Sequence, residues 1–411
     1  MEYVLVPILS ILVLVIASLA LIKPTAFLII YFITFTGFFG FIDLYETQLS
    51  PSNLIFALNV VSILASVSVL LMKKSIEIKN KEILLLFFVY LLLIIYGTLI
   101  PYVISKGDFL LSIIDSKDLF VIFLILYVSL FSDKINSLLI INFIVFCSVI
   151  LSAIVLIFHL TGMHPPGYHL VDPLKVDYSL GIHIRFATIM LFSFFILPFL
   201  KLNFKTRILI SVILFIGIIL QPHTSIKIAF ILIFAFNFMK LNFKRLMQFF
   251  IVVLPVLYFI ISQYLPSYDV VYNFINDSSG RRLDISYNRF QYIYNNIFFG
   301  YGFIHHEMNL GVEMMNKSIW IHDQRFTTVD GGYIDLIIRF GVIGLLIYLF
   351  FYFRVISSLT SKPSKRLKLM GYILSSMLFV SLTWSMFTYS QGLILIVLSY
   401  IFIDIKETSN V

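Results

Sequence analysis

Polar residues able to do chemistry are concentrated in four places in this 411-residue chain. The first is His183-Ile184-Arg185, at the start of an apolar run. A guanidinium there presents a planar fork of donors that suits a phosphate or pyrophosphate; the competing role is a snorkelling anchor at a membrane surface. The second runs from Gln221 to Lys227, between two apolar runs. Thr224 and Ser225 suit a helix N-cap, whose free amides attract anions, and Lys227 adds a charge. A plain helix hairpin with a snorkelling lysine accounts for the same residues. The third is Ser278 to Asp284, with Arg281 and Arg282 adjacent and Arg289 one or two turns on. Paired arginines near headgroups suit an anionic lipid substrate, or supply only general attraction to headgroups. The fourth comprises His322 to Arg325 and Asp330 to Asp335, with Arg339, Gly341 and Gly344. Asp330 can serve as a general base or as a helix cap. Asp335 and Arg339, spaced i,i+4, are expected to pair within a helix as a structural feature. Gly341 and Gly344 are expected to permit close helix approach.

Several chemistries lack their residues. There is no H-E-x-x-H, P-loop or G-x-S-x-G pattern and no D-x-D triplet. His305-His306-Glu307 is the nearest thing to a metal site, but adjacent histidines on a polar loop are more often solvated, so no metal or cofactor is expected. The single cysteine, Cys147, lies in an apolar run and allows no disulfide framework.

These groups are set in a very apolar chain. Hydrophobic residues make up 60% and charged residues 12%, against about 25% charged in a soluble domain, and mean hydropathy is +1.02. Apolar runs of about 20 residues match the hydrocarbon thickness as helices. They are too long for the alternating strands of a β-barrel, and in lipid the backbone must satisfy itself internally. The expected fold is therefore an all-α polytopic membrane protein. Its 12 to 13 spans are read at 4–22, 25–42, 54–72, 83–101, 113–131, 138–160, 183–200, 207–221, 226–240, 246–262, 333–353, 370–388 and 391–405. The fifth is interrupted by Asp115 and Asp118, and the eighth and last are short. The first run lacks a basic leader and a small-residue cleavage site, so it reads as a retained helix.

Loop charges orient the chain. Lysines and arginines at 73–81, 201–207, 240–245 and 354–368 all fall on one side of the alternating topology, which is thereby the cytoplasmic one. The net charge of +8 reads as this bias and points to a bilayer, with no nucleic-acid partner. The opposite side holds 101–118, 161–183 and the long hydrophilic stretch 263–332. This divides the chain into an N-terminal bundle (1–262), one large extracytoplasmic loop (263–332) and C-terminal helices (333–411). A loop of that length is functional or disordered; its tyrosines and phenylalanines argue for order, and Asn288–Phe299 reads as an amphipathic helix on the membrane surface. No internal repeat or matched pair of broken helices speaks for an inverted-repeat transporter.

The order of these motifs resembles a known family. Ser279 to Ile285, followed by Asn295-Asn296-Ile297-Phe298-Phe299-Gly300-Tyr301-Gly302, resembles the S-G-R and G-x-G segment of bacterial Wzy-type polysaccharide polymerases and the related O-antigen ligases. Val329 to Gly344 looks like the stretch by which these proteins enter the helix after their large loop. His183, Arg185 and the Thr224–Lys227 turn are similar to two further basic positions. The resemblance covers about the second half of the chain and the hydropathy profile. Ligases carry a histidine eleven residues before the first glycine of G-x-x-G; here that position is Asp330, and Lys227 stands where an arginine is usual. The missing histidine favours the polymerase branch.

The resemblance implies a GT-C-like membrane glycosyltransferase, independent of metal and nucleotide sugar. It would join undecaprenyl-pyrophosphate-linked oligosaccharide repeat units on the outer face of the cytoplasmic membrane. A flippase and a chain-length regulator would work alongside it. The leaving pyrophosphate gains negative charge in the transition state, which Arg185, Lys227, Arg281, Arg282 and Arg289 can stabilise. The attacking sugar hydroxyl needs a base, which Asp330 or His322 can supply. Gly300, Gly302, Gly341 and Gly344 belong to the structural motif. An O-antigen ligase-like transferase is the nearest alternative, and a lipid-linked oligosaccharide flippase a more distant one.

Overall fold

A computed structural model describes residues 15–36, 51–72, 81–105, 107–161, 187–220, 224–242, 244–245, 247–248, 292–316, 332–382 and 385–403. Most of these are helical, with no strand among the described residues. After a helical stretch at 15–22 come α1 (Pro24–Phe35), α2 (Pro51–Met72), α3 (Lys81–Ser105) and the short α4 (Phe109–Asp115). They are followed by α5 (Phe123–Leu130), α6 (Ser137–Thr161), α7 (Ala187–Ile196), α8 (Phe204–Leu220) and α9 (Thr224–Met239). The last are α10 (Asn309–Asn316), α11 (Gly332–Ser361), α12 (Lys365–Val380) and α13 (Ser390–Ile403).

Within the described residues four helical stretches are long and apolar enough to cross a membrane: Asn53–Met72, Lys81–Ile104, Ser137–Thr161 and Gly332–Ser361. Shorter apolar helices accompany them at Pro24–Phe35, Thr188–Phe199, Ser225–Met239 and Ser390–Ile403. This is the helical pattern of a polytopic membrane protein. All but residues 247–248 of the span expected at 246–262, and most of the loop expected at 263–332, lie outside the described residues. The fifth expected span is not one continuous helix. α4 ends at Asp115, a 3-10 segment follows over Lys117–Ile122, and α5 then begins. Ser116 closes α4 by turning its amide and hydroxyl back to the Ile113 carbonyl. Asp115 and Asp118 therefore mark a real interruption.

Hydroxyl-bearing residues sit inside these helices by bonding the preceding turn, as Ser66 does to the Ser62 carbonyl, Thr98 to Ile94 and Ser375 to Gly371. This satisfies the hydroxyl where no water is present. Pro24 opens α1, where a missing amide proton is harmless. Pro101 instead lies inside α3 and strips the carbonyl four residues back, that of Gly97, of its helical donor.

The chain divides into two compact units that alternate along the sequence. One is Met1–Phe87, Phe120–Phe230 and Leu393–Val411; the other is Phe88–Leu119 and Ile231–Gly392. In the first, α6 packs on α7 and α8, and α2 on α1 and α5. Gly217 of α8 lies so close to Ser152 of α6 that a β-carbon would meet the serine side chain, the close approach small residues allow between membrane helices. Buried hydroxyls are tied across this unit: Tyr31 donates to Asn59 Oδ1 at 2.9 Å, Ser148 and Ser193 lie 2.8 Å apart, and Ser129 and Tyr400 2.6 Å apart. In the second unit α11 packs on α12, and Tyr90, Tyr348 and Tyr352 are fully buried in ring contact. The Tyr90 and Tyr348 hydroxyls lie 2.8 Å apart, and Tyr90 also donates to the Phe387 carbonyl at 2.9 Å.

Candidate functional site

α11 is two helices. Gly341 has φ 66° and ψ −178°, a combination essentially confined to glycine, and it breaks the helix nine residues after its start. A break of this kind leaves carbonyls unpaired at the end of the first half and amides unpaired at the start of the second. The segment 297–303 supplies both. Tyr301 N donates to the Ile338 carbonyl at 2.7 Å and Gly302 N to that of Arg339 at 2.8 Å. In return, Val342 N donates to the Ile297 carbonyl at 2.8 Å and Ile343 N to that of Phe298 at 3.4 Å. The same segment reaches α3, where Phe303 N donates at 2.7 Å to the Gly97 carbonyl that Pro101 leaves free.

This docking explains the glycines. Gly300 and Gly302 both have positive φ, 69° and 73°. A β-carbon on Gly300 would lie 2.5 Å from Gly341 N and 2.7 Å from the Arg339 carbonyl. One on Gly302 would meet the Gly97 carbonyl and the Pro101 ring, and one on Gly341 would meet the Phe298 carbonyl. Gly341 thus admits a loop backbone, where a neighbouring helix was expected. A β-carbon on Gly344 would meet its own Phe340 side chain, with Leu93 of α3 at 3.9 Å.

At the end of the first half-helix sits a buried ionic network. Arg339 Nε donates to Asp335 Oδ1 at 3.0 Å, the i,i+4 pair expected from the sequence. Arg339 Nη1 donates to Asp115 Oδ2 at 2.7 Å, from the end of α4. Thr388 Oγ1 donates to the other oxygen of Asp335, and the guanidinium lies 5.1 Å from the centre of the Phe303 ring. Arg339 is 6% exposed and Asp335 1%. Two carboxyl groups share one guanidinium in a place nearly closed to solvent. Such a network persists only because each charge has partners. With Nε and Nη1 engaged by carboxylates, Arg339 ties α4 to α11, and Asp335 in turn holds the loop at Thr388. Asp115 is the member that sequence reasoning missed as a partner. Its signal was a charge interrupting an apolar run, which sequence spacing could not connect to a residue 224 positions away.

Of the other residues singled out from the sequence, Lys227 lies partly buried in the first turn of α9, in the first unit. Arg185, Arg281, Arg282, Arg289, His322 and Asp330 lie outside the described residues. Of the amphipathic helix expected over 288–299, residues 292–295 are helical and 296–299 form turns. Asn296 ends the helix: its carbonyl accepts from Gly300 N at 3.0 Å, and its side-chain amide bonds the Gly300 carbonyl. The His305 and His306 rings lie 4.0 Å apart, tilted by 37°, and His306 Nε2 lies 3.7 Å from Glu307 Oε1. No group of three metal-ligating side chains occurs among the described residues. No protein-family model matches the chain, and no curated protein sequence matches it either.

Proposed function

We propose that this chain is a Wzy-type polymerase, a metal-independent membrane glycosyltransferase of the bacterial cytoplasmic membrane. It would transfer a growing glycan from its undecaprenyl pyrophosphate to the next lipid-linked repeat unit on the outer face. One observation carries the reading furthest. The described parts of two of the stretches that carry the resemblance, Asn295–Gly302 and Gly332–Gly344, dock backbone to backbone, so motifs separated in sequence belong to one structural device. In this reading Asp330, just before α11, or His322 removes the proton from the acceptor hydroxyl. Arg185, Lys227, Arg281, Arg282 and Arg289 receive the leaving pyrophosphate. Arg339 is excluded from that role by its two carboxylate partners.

The test is deletion of the gene in its host and complementation with wild type, Arg185→Ala, Arg281→Ala and Asp330→Ala at matched membrane levels. The readout is surface polysaccharide length on a gel. Collapse of long polymer to single repeat units, on deletion and in the variants, supports the polymerase. Full-length chains left unattached to their acceptor identify a ligase. Lipid-linked units held on the cytoplasmic face identify a flippase.

A further inference from the structure

We infer that the end of α9 and the start of α12 form a binding site for an anionic phospholipid, with Lys240, Lys244, Arg245, Lys365 and Lys368 around its phosphate and an acyl chain along α9. The packing of the two helices brings these cations together. On α12, Tyr372 and Phe379 face α9: both rings meet Phe236, and the Tyr372 hydroxyl donates to the Leu241 carbonyl at 2.8 Å. Lys368 and Lys365 continue the same face, one and two turns towards the start of α12. Lys240, Lys244 and Arg245 all lie within four residues of Leu241.

These cations are not placed for the stability of their own helices. Lys240 takes the left-handed position after α9, with φ 48°, where glycine or asparagine is the ordinary choice. Among the described residues it alone, apart from glycines, has a positive φ. Asn242 caps the helical residues that follow, its Oδ1 accepting from Arg245 N at 3.0 Å, so Lys244 and Arg245 lie in a first turn. Lys365 and Lys368 lie in the first turn of α12, behind Ser364, whose side chain makes no cap bond. The start of a helix disfavours positive charge. No carboxylate among the described residues pairs with any of the five. An anion held between their side chains offsets both the mutual repulsion and the unfavourable dipoles, as headgroups do in basic pockets between membrane helices.

The adjoining apolar surface points to a lipid and not to a soluble phosphate. Ile231, Phe234 and Phe238, spaced i, i+3 and i+7, share one face of α9 and are 63%, 58% and 80% exposed. The opposite face, with Ile233 and Phe236, is fully buried. The exposed stripe ends at Phe238 and Met239, directly before Lys240. An acyl chain laid along it would bring its headgroup to the cations. An apolar track with a basic end matches a ligand that is apolar along its length and anionic at one end.

Native mass spectrometry of the full chain tests the site, with phosphatidylglycerol and phosphatidylcholine offered in equal amounts. Wild type should retain phosphatidylglycerol in preference. The triple variant Lys240→Gln, Lys365→Gln, Lys368→Gln should lose about tenfold or more of that preference. A control of equal charge, Lys134→Gln, Lys201→Gln, Lys205→Gln, removes three exposed lysines elsewhere and should keep it. Equal loss in both variants, or no preference in wild type, overturns the inference. Lys240→Gly separates binding from folding, because glycine relieves the positive φ. Its melting temperature should hold or rise while the preference falls severalfold; an unchanged preference overturns the site. Inorganic phosphate at the lipid concentration should leave the bound lipid in place, and displacement of the lipid by it overturns the assignment to a phospholipid. None of these readouts depends on the proposed enzymatic activity.

Discussion

The amide of Phe303 donates at 2.7 Å to the carbonyl of Gly97, the group that Pro101 deprives of its helical partner. A helix defect in α3 and a turn 200 residues later thus satisfy each other. Replacing the proline tests this. In Pro101→Ala the new amide competes for the Gly97 carbonyl, so α3 gains a helical bond and the turn loses one. Exchange of the Phe303 amide should speed up about fivefold or more, the equivalent of about 1 kcal/mol for one hydrogen bond. Hydrogen-exchange mass spectrometry of the detergent-solubilised chain reads it, and unchanged exchange over 296–303 would show that the bond does not hold the turn.

Gly302→Ala and Gly341→Ala should each destabilise the fold more than a helix-surface substitution such as Leu346→Ala. Their positive φ alone costs about 1–3 kcal/mol, and each β-carbon would also strike a backbone carbonyl. A lowered melting temperature or loss of the monodisperse peak in detergent is the expected result. Melting at the wild-type temperature would mean that the break at Gly341 is not required.

The ionic network predicts an order of effects. Arg339→Met strands two carboxylates and should cost about 3–5 kcal/mol. Asp115→Asn, at a carboxylate that keeps some contact with solvent (16% exposed), should cost less. Thr388→Val removes a donor from buried Asp335 and should cost about 1–3 kcal/mol. The pair Arg339→Met with Asp335→Leu should cost less than the sum of the singles, because only Asp115, the more exposed carboxylate, is then left without its partner. Additive melting shifts would count against a coupled network.

Tyr96→Phe removes only the hydroxyl that serves the Phe299 carbonyl. In a dry setting that carbonyl finds no substitute, and the loss should be about 1 kcal/mol or more, with faster exchange in the turn. If water reaches the turn, it replaces the hydroxyl and the melting temperature stays where it was.

Much was legible from residue types alone. Runs of apolar residues of spanning length compel helices, because lipid offers the backbone no other partner, and α2, α3, α6 and α11 follow from that. The pairing of Asp335 with Arg339 followed from i,i+4 spacing. Asp115 and Asp118 marked the weakness of the fifth span, and the chain does break there. The break at Gly341 was not legible. A glycine in an apolar helix reads equally as a close-packing position, and only its positive φ tells the two apart. Nor was the destination of 296–303 legible. Its residues are those of a surface helix by composition, while its hydrogen bonds run to Gly97, Ile338 and Arg339 on two distant helices. Local sequence determines which backbone groups lack partners, at Pro101 and Gly341; which segment supplies those partners is settled by long-range docking, a matter of tertiary structure alone.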